Sequence, residues 1–171
     1  MARKERGHTF YGYTYHVTFE INRWLMELKN PVIKALLIQI IAEAHRKYGF
    51  KLWNFCIMDN HVHFLITPDK DVSLSEIMKW IKMVFAIRWN KLHKTTGHVW
   101  GDRFHARMIE SSEDFLRVFR YINQNPVKAG LVEQAKEWIF GGLHHYLHNI
   151  VHIVPTFSDF LVKVFTADFS T

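Results

Sequence analysis

The sequence predicts an α+β fold with one antiparallel sheet and helices on one face of it, and three observations lead to this fold class. Apolar residues alternate along a segment near the start of the chain, which is the spacing of a strand buried on one face. Two β-rich runs follow that are separated by only two residues, which favours an antiparallel hairpin. Segments whose apolar residues recur at helical spacing separate and follow these strands.

The first strand is predicted over 11–19, because aromatic and branched residues occupy every second position there. Asn30 and Pro31 suit the N-cap and the first position of a helix, which we expect to end near Gly49. Two more strands are predicted over 51–58 and over the run that begins two residues later. The chain therefore begins with a strand, a helix and a hairpin.

The hairpin turn is predicted at Asp59 and Asn60, a pair that suits a tight connection before the strand over 61–67. Ser73 begins a second long helix with a capping-box pattern. A fourth strand is predicted over 103–109. The order strand, helix, strand, strand, helix, strand is that of the ferredoxin-like arrangement.

A third helix is predicted after the fourth strand, and a helical tail after that. Ser111 or Ser112 can cap the third helix, which we expect to end before Pro126. The tail, over 133–171, is expected to pack on the preceding domain or on a partner. Its last helix is predicted after Ser158.

Length and composition limit the classes of protein to which the chain can belong. The chain has 171 residues, of which 49% are hydrophobic, so we expect one domain over 1–132 followed by the tail. Its 22 basic and 16 acidic residues leave a formal charge of +6, which favours a polyanionic partner. Cys56 is the only cysteine, which excludes an intrachain disulfide. No secretory signal or membrane-spanning run is evident, so we expect a soluble, cytoplasmic protein.

Two histidines of the third strand are candidate metal ligands. His61 and His63 are two positions apart, so both imidazoles leave one face of the strand while Val62 and Phe64 enter the opposite one. Converging imidazoles can bind a divalent transition metal, and with an oxygen ligand they can hold Mg²⁺ or Mn²⁺ against a phosphate. The same pattern also occurs as ordinary polar residues on the face of a strand.

The third helix carries a candidate nucleophile. Tyr121 and Asn125 are four residues apart and therefore lie on neighbouring positions of one face. Tyr121 is displaced from the buried stripe, which suits a phenol whose oxygen must be reachable. Because a phenol has a pKa of about 10, it would need a metal that neutralises charge on a phosphate, or a base. The alternative is a half-buried tyrosine that only covers the core.

Four short motifs occur in a characteristic order. They are Tyr-His-Val-Thr at 15–18, Met-Asp-Asn-His-Val-His at 58–63, Gly-Asp-Arg-Phe at 101–104 and Tyr-Ile-Asn-Gln-Asn-Pro-Val-Lys-Ala-Gly-Leu-Val at 121–132. Together they resemble the single-tyrosine HUH transposases, and within them the REP-associated tyrosine transposases. The resemblance extends from about Tyr11 to Val132, and it is specific because both the order and the spacing of the main motifs agree.

The resemblance implies a ferredoxin-like fold and cleavage of single-stranded hairpin DNA that leaves a 5′-phosphotyrosine link and a free 3′-hydroxyl. It implies that Tyr121 is the nucleophile. It also implies that His61, His63 and Asn125 bind a divalent metal, Mg²⁺ or Mn²⁺. The candidate DNA contacts are the basic residues Arg103, Arg107, Arg117 and Lys128. Asp59 stands where a proline is common in the family, which we expect to alter the turn but not the ligands.

Two other functions are open on the sequence alone. The first is a protein that keeps the fold and binds structured DNA without cutting it, through phosphate contacts and base stacking. The second is a metal-assisted nucleotide hydrolase, but histidine-triad hydrolases carry a further histidine at the position held here by Leu65. The sequence is compatible with either a monomer or a homodimer, since an apolar tail helix suits either a dimer contact or the core.

Overall fold

The structure is a computed structural model, and it describes residues 12–22, 27–156, 158 and 159. Its strands are β1 (Tyr15–Glu20), β2 (Lys51–Ile57), β3 (His61–Thr67) and β4 (His105–Met108). Its α-helices are α1 (Pro31–Tyr48), α2 (Leu74–His93), α3 (Ser112–Lys128) and α4 (Gly142–Leu147), and short 3₁₀ helices span Glu27–Lys29 and Ala135–Glu137. Among these residues, no helix is both long and apolar enough to cross a membrane.

The four strands form one antiparallel sheet in the order β2-β3-β1-β4. With α1 between β1 and β2, and α2 between β3 and β4, this is the ferredoxin-like arrangement, so the predicted fold class is confirmed. In the central pair, Thr18 lies opposite His63 and Glu20 lies opposite His61. β3 therefore lies inside the sheet, where its backbone is hydrogen-bonded on both sides.

The predicted placement of helices on one face of the sheet holds for α1 and α2, whereas α3 covers the other face. On one face the larger core contains Val17, Phe64 and Phe85, which are fully buried together with residues of α1 and α2. On the other face a smaller core joins Leu65 to Phe115 and other residues of α3. Because successive strand residues point to opposite faces, the histidines of β3 share the face of Leu65 and lie on the α3 side.

The ends of the helices confirm most of the predicted boundaries. Asn30 caps α1 with its side chain, and Gly49 ends that helix in the left-handed region, with a φ of 70°. Ser73 begins α2 with the predicted capping box. Of the two serines considered for α3, Ser111 is the cap, and its hydroxyl accepts a hydrogen bond from the backbone.

The predicted end of α3 was wrong. The helix does not end before Pro126 but continues to Lys128. Proline has a φ that fits a helix, although it removes one donor and crowds the carbonyl four residues earlier, and here Pro126 is buried in the last turn. The Ala129 amide donates to the Asn125 carbonyl at 3.0 Å, so the helical hydrogen bonding continues beyond the proline. Local steric preference is therefore overridden by packing at this position.

Three strands are shorter than predicted, although β2 ends only one residue early, at Ile57. β1 begins at Tyr15, while Tyr13 is exposed outside the ladder; residue 11 lies outside the described residues. β4 covers only His105–Met108 of the predicted 103–109. β4 is an edge strand that pairs with β1 alone, so fewer of its residues are held by a ladder.

The segment after α3 packs against β2 of the same chain, as far as the structure describes it. The Tyr146 hydroxyl donates to the Trp53 carbonyl at 2.7 Å. Ile153 is fully buried in the larger core. The domain boundary after residue 132 stays a prediction, and the apolar part of the helix predicted after Ser158 lies outside the described residues.

A buried lysine connects α1 to the turn between β2 and β3. Lys34 is only 1% exposed, and its ammonium group donates to Asp59 Oδ1 at 2.6 Å and also to the Leu28 carbonyl. The rings of Trp138 and Phe140 lie 5.3 and 5.5 Å from Nζ. Asp59 is therefore the counter-ion of a buried cation, which fixes the turn that precedes the candidate ligands.

Lys34→Met is expected to lower the free energy of unfolding by about 2 to 3 kcal/mol, because it leaves the Asp59 carboxylate without its partner. Urea unfolding followed by circular dichroism measures the change. The matched control is Arg88→Met, which breaks a more exposed ion pair with Glu43 and should cost at most about 1 kcal/mol. Equal losses in the two variants would contradict a stabilising role of the buried pair.

Candidate active site

The two histidines of β3 lie on one face of the sheet, as predicted, and α3 covers that face. Their neighbours Val62 and Phe64 are fully buried under α1 and α2 on the opposite face. The rings of His61 and His63 are 4.9 Å apart between centroids, so the two imidazoles are side by side. The alternation of a central strand thus brings both rings to one place.

His63 is the more deeply buried imidazole, with 4% of its surface exposed. Its Nδ1 lies 3.1 Å from His16 Nε2 and 3.2 Å from Thr18 Oγ1. Its Nε2 is buried and has no hydrogen-bond partner among the described residues. Burial, and then the charges of His61 and His16, lower the pKa of His63 to about 3, so the ring is neutral near neutral pH. A neutral imidazole with one unpartnered nitrogen suits a metal ligand.

His61 is held from the turn that precedes β3. Its Nδ1 lies 2.7 Å from Asn60 Oδ1. An amide oxygen only accepts, so the His61 proton is on Nδ1 and its Nε2 carries the free lone pair. Burial lowers the pKa of His61, although the Glu20 carboxylate opposes the shift. Burial therefore favours the neutral form of both imidazoles, which is the form that binds a metal.

Tyr121 lies next to the histidine pair, in the same chain. Its ring centroid is 5.6 Å from that of His63 and 5.8 Å from that of His16, in edge-to-face contacts. The tyrosine is 42% exposed, so its hydroxyl can be reached from solvent. Lys128 Nζ lies 5.4 Å from the centroid of the same ring. A phenol, imidazoles and an ammonium group thus meet at one surface.

A buried amide positions the helix that carries Tyr121. Asn54 of β2 is fully buried, and its Nδ2 donates to the Phe119 carbonyl at 3.1 Å and to Asn123 Oδ1 at 2.9 Å. These two contacts lie two residues before and two residues after Tyr121. A Cβ at Gly142 would come within 2.3 Å of Asn54 Oδ1, so a glycine is needed where α4 passes this amide. The rotation of α3 over the sheet is fixed in this way.

Asn125 follows Tyr121 by one turn of α3. Its Nδ2 donates to the Tyr121 carbonyl at 2.8 Å, which leaves Oδ1 as the atom suited to a cation. Among the described residues, no three His, Cys, Asp or Glu side chains form a metal-binding group. An ion held by His61 and His63 would therefore take its other ligands from an amide such as Asn125, from water or from the substrate.

The predicted DNA contacts differ in their surroundings. Arg107 donates to both carboxylate oxygens of Asp114, at 2.7 and 3.0 Å, and Arg117 donates to the same group. These bonds hold the pKa of Asp114 down at about 2, with Arg107 as the first cause. Since two guanidinium groups share one carboxylate, this cluster carries one net positive charge. Arg103 is exposed before β4, and Lys128 lies beside the tyrosine ring.

Sequence reasoning did not single out His16 as a site residue, although it lies in the Tyr-His-Val-Thr motif. The alternation of β1 contains the necessary signal, because Tyr15 and Val17 are buried on one face and His16 must leave the other. What the sequence did not show was the register, which sets Thr18 opposite His63 and brings His16 to the same ring.

The metal-free protein is expected to lose stability as the pH falls below about 6.5. Burial lowers the pKa of His63 to about 3, and that of His16 and His145 to about 4. The unfolded chain therefore binds protons that the native chain does not. Each such histidine lowers the free energy of unfolding by up to about 1.4 kcal/mol per pH unit until its folded pKa is reached. Urea unfolding in EDTA at pH 7.5 and 5 measures this, and equal midpoints would contradict it.

The chain is similar to known proteins in sequence. The family model described as "Transposase IS200 like" matches residues 9–125. The chain is 27% identical over 116 residues to the REP-associated tyrosine transposase of Escherichia coli K12, which covers 64% of this chain and 64% of that protein. It is 27% identical over 107 residues to a Haemophilus influenzae protein assigned to the same group, which covers 57% and 61%. The chain thus spans less than two thirds of the length of either relative.

The chain is also similar to a solved structure of a REP-associated tyrosine transposase bound to a REP hairpin. The TM-score is 0.74, and the match covers 100% of this chain and 94% of that chain. The identity between the two sequences is 22%, so this similarity shows a shared fold.

Proposed function

The chain belongs to the IS200-like transposase family, and we therefore propose that it cleaves and rejoins single-stranded hairpin DNA through a covalent link to Tyr121. The observation that carries the proposal is the contact between the rings of Tyr121 and His63, with centroids 5.6 Å apart. A solvent-accessible phenol beside a buried imidazole that can bind a metal suits attack on a phosphodiester, because a weak nucleophile needs such activation. Family membership by itself would not identify the reacting residue.

In the proposed reaction, the Tyr121 oxygen attacks the phosphorus of a phosphodiester. A bond forms between that oxygen and phosphorus, the bond from phosphorus to the 3′-oxygen breaks, and the phenolic proton ends on the released 3′-hydroxyl. The DNA is then joined to the protein through its 5′-phosphate. Attack by a free 3′-hydroxyl on this phosphotyrosine reverses the step and rejoins a strand, so the energy of the original bond is conserved.

A divalent ion, Mg²⁺ or Mn²⁺, would be held by His61, His63 and Asn125. When bound, it would neutralise charge on the phosphate under attack. The unpartnered Nε2 of His63 supports this part of the proposal, because nothing else among the described residues satisfies that buried atom. The hydrogen bond from His61 to Asn60 supports it too, since it directs the other ring nitrogen of His61 to a ligand.

Lys128 would assist the tyrosine directly. Its ammonium group lies 5.4 Å from the centroid of the Tyr121 ring, on the same helix. At this distance the ammonium group makes a cation–π contact that helps to hold the ring in place. The same ammonium group can also contact the phosphate that is under attack, which combines its predicted DNA-binding role with a catalytic one.

The hairpin DNA would contact the basic residues around the site. Arg103 is exposed, and the cluster of Arg107, Arg117 and Asp114 retains one net positive charge at the edge of the sheet. Contacts of this kind position a nucleic acid through its phosphates without reading its sequence. Single strands and folded hairpins are therefore both within reach of the same surface.

One chain would hold a complete site. Tyr121 contacts His63 of its own chain, and Asn54 anchors the tyrosine helix to its own sheet. A dimer that exchanges these helices is not needed to bring the groups together. If Tyr121→Phe and His63→Ala chains are mixed, we expect no recovery of activity, whereas exchange of helices between chains would restore one intact site per dimer.

The function is tested by mixing the protein, Mg²⁺ or Mn²⁺ and labelled single-stranded DNA that folds into imperfect hairpins. The expected result is a protein–DNA adduct that survives denaturation, with the label on the fragment downstream of the cut. A fully paired duplex of the same sequence should give none. Tight, salt-sensitive binding without an adduct, over a broad hairpin library and both metals, would favour the alternative of a structured-DNA-binding protein.

A further inference from the structure

β1 carries a third imidazole at the site, and the proposed reaction assigns it no task. His16 is close to both reacting partners, because its Nε2 lies 3.1 Å from His63 Nδ1 and its ring centroid is 5.8 Å from that of Tyr121. We infer that His16 is a positioning residue that holds His63 in the one orientation and tautomer in which Nε2 faces a metal ion. This inference rests on the proposed function in one respect, namely that His63 is a metal ligand.

The hydrogen bond between the two rings couples their tautomers. When two ring nitrogens lie at hydrogen-bond distance, one carries the proton and the other accepts it. A metal bound at His63 Nε2 requires the His63 proton on Nδ1. His16 Nε2 is then the acceptor, and Thr18 Oγ1, 3.2 Å from the same Nδ1, provides a second one. β1 therefore supplies both groups that can accept a hydrogen bond from His63 Nδ1.

Packing restricts the alternative orientation of His63. The two rings are stacked with centroids 5.3 Å apart and an angle of 24° between their planes. A half-turn of the His63 ring about its Cβ–Cγ bond would exchange Nδ1 with Cδ2 and Nε2 with Cε1. A carbon atom would then face His16 and Thr18, so the contacts of Nδ1 at 3.1 and 3.2 Å would be lost, and the present orientation is favoured.

The register of the sheet makes this contact specific. Thr18 lies opposite His63 in the antiparallel pair of β1 and β3, and His16 is two residues away on the same face. Both strands lie inside the sheet, where they cannot slip without moving every side chain to the wrong face. Residues that orient a metal-bound histidine through its second nitrogen typically alter metal affinity by about 10- to 100-fold when they are replaced.

Metal binding without DNA tests the inference apart from catalysis. Isothermal titration with MnCl₂ would compare the wild-type chain with His16→Phe, His16→Gln and His63→Ala. We expect His16→Phe, which keeps an aromatic ring but has no acceptor, to bind about 10- to 100-fold more weakly. His16→Gln, whose amide oxygen can accept from Nδ1, should bind much more nearly like the wild type. Thermal unfolding without metal checks that the variants are folded.

The tautomer of His63 provides a second readout, which needs no variant to fold. Long-range proton–nitrogen NMR spectra of the metal-free wild-type chain should show His63 protonated on Nδ1. A His63 ring protonated on Nε2 would overturn the inference, as would wild-type affinity in His16→Phe while His63→Ala has lost the metal. If His63→Ala binds Mn²⁺ like the wild type, both the inference and the proposed metal centre fail. Normal metal results without any DNA adduct would instead overturn only the proposed function.

Discussion

Tyr121→Phe is expected to abolish the protein–DNA adduct and to lower strand cleavage by at least about 10⁴-fold, the order of effect seen when a nucleophile is removed. The change deletes only the oxygen that would bond to phosphorus. The phenyl ring can still pack against His16 and His63, so the helix and the metal ligands should stay in place. Denaturing gels with labelled hairpin DNA measure the adduct, and filter binding measures affinity for the same DNA.

The control for this variant is Tyr48→Phe. Tyr48 lies at the end of α1, on the other side of the sheet, where its ring contacts Trp80. The Tyr48→Phe variant should form the adduct as the wild type does. Hairpin binding should be nearly unchanged in Tyr121→Phe, because the proposed phosphate contacts come from arginine and lysine. An adduct of normal yield in Tyr121→Phe would show that another residue attacks the DNA.

His63→Ala is expected to lower metal-dependent cleavage by about 10³-fold, since it removes a ligand from an ion that would contribute several kcal/mol to the transition state. His61→Ala should have a similar effect, because the two rings would bind the same ion. Cleavage is measured from initial rates over a range of MnCl₂ concentrations. A defect that high metal concentration partly overcomes would indicate weakened metal binding, as the proposal expects.

The control for the ligand variants is His93→Gln. His93 stacks on Trp89 of α2, on the opposite side of the sheet, so its replacement should leave the rate and the metal requirement unchanged. Addition of EDTA should stop cleavage by the wild type and by His93→Gln alike. Full activity of His63→Ala at low metal concentration, or wild-type activity in EDTA, would contradict a metal centre at this position.

Much of the fold could be predicted from local patterns. The hairpin at Asp59 and Asn60, the capping box at Ser73 and the helix between Asn30 and Gly49 all lie where the sequence indicated. Each depends on interactions between residues that are close in the chain, such as a side chain bonded to a nearby amide. The predicted end of α3 before Pro126 failed for the opposite reason, because burial of the proline ring outweighs the local preference for ending the helix.

The sequence by itself determined the order of strands and helices, the face on which His61 and His63 lie and the helix that carries Tyr121. These follow from the period of two residues in a strand and of 3.6 residues in a helix, which the spacing of the apolar residues reveals. Their chemical roles stay predictions until the variants are measured.

Only the tertiary structure decided that His16 contacts His63, that Lys34 is the partner of Asp59 and that Asn54 anchors the tyrosine helix. In each case the partners are many residues apart, and the contact exists because strands and helices pack in one register. Buried polar groups must find partners or lose free energy, and those partners are chosen by the packed fold rather than by neighbours along the chain.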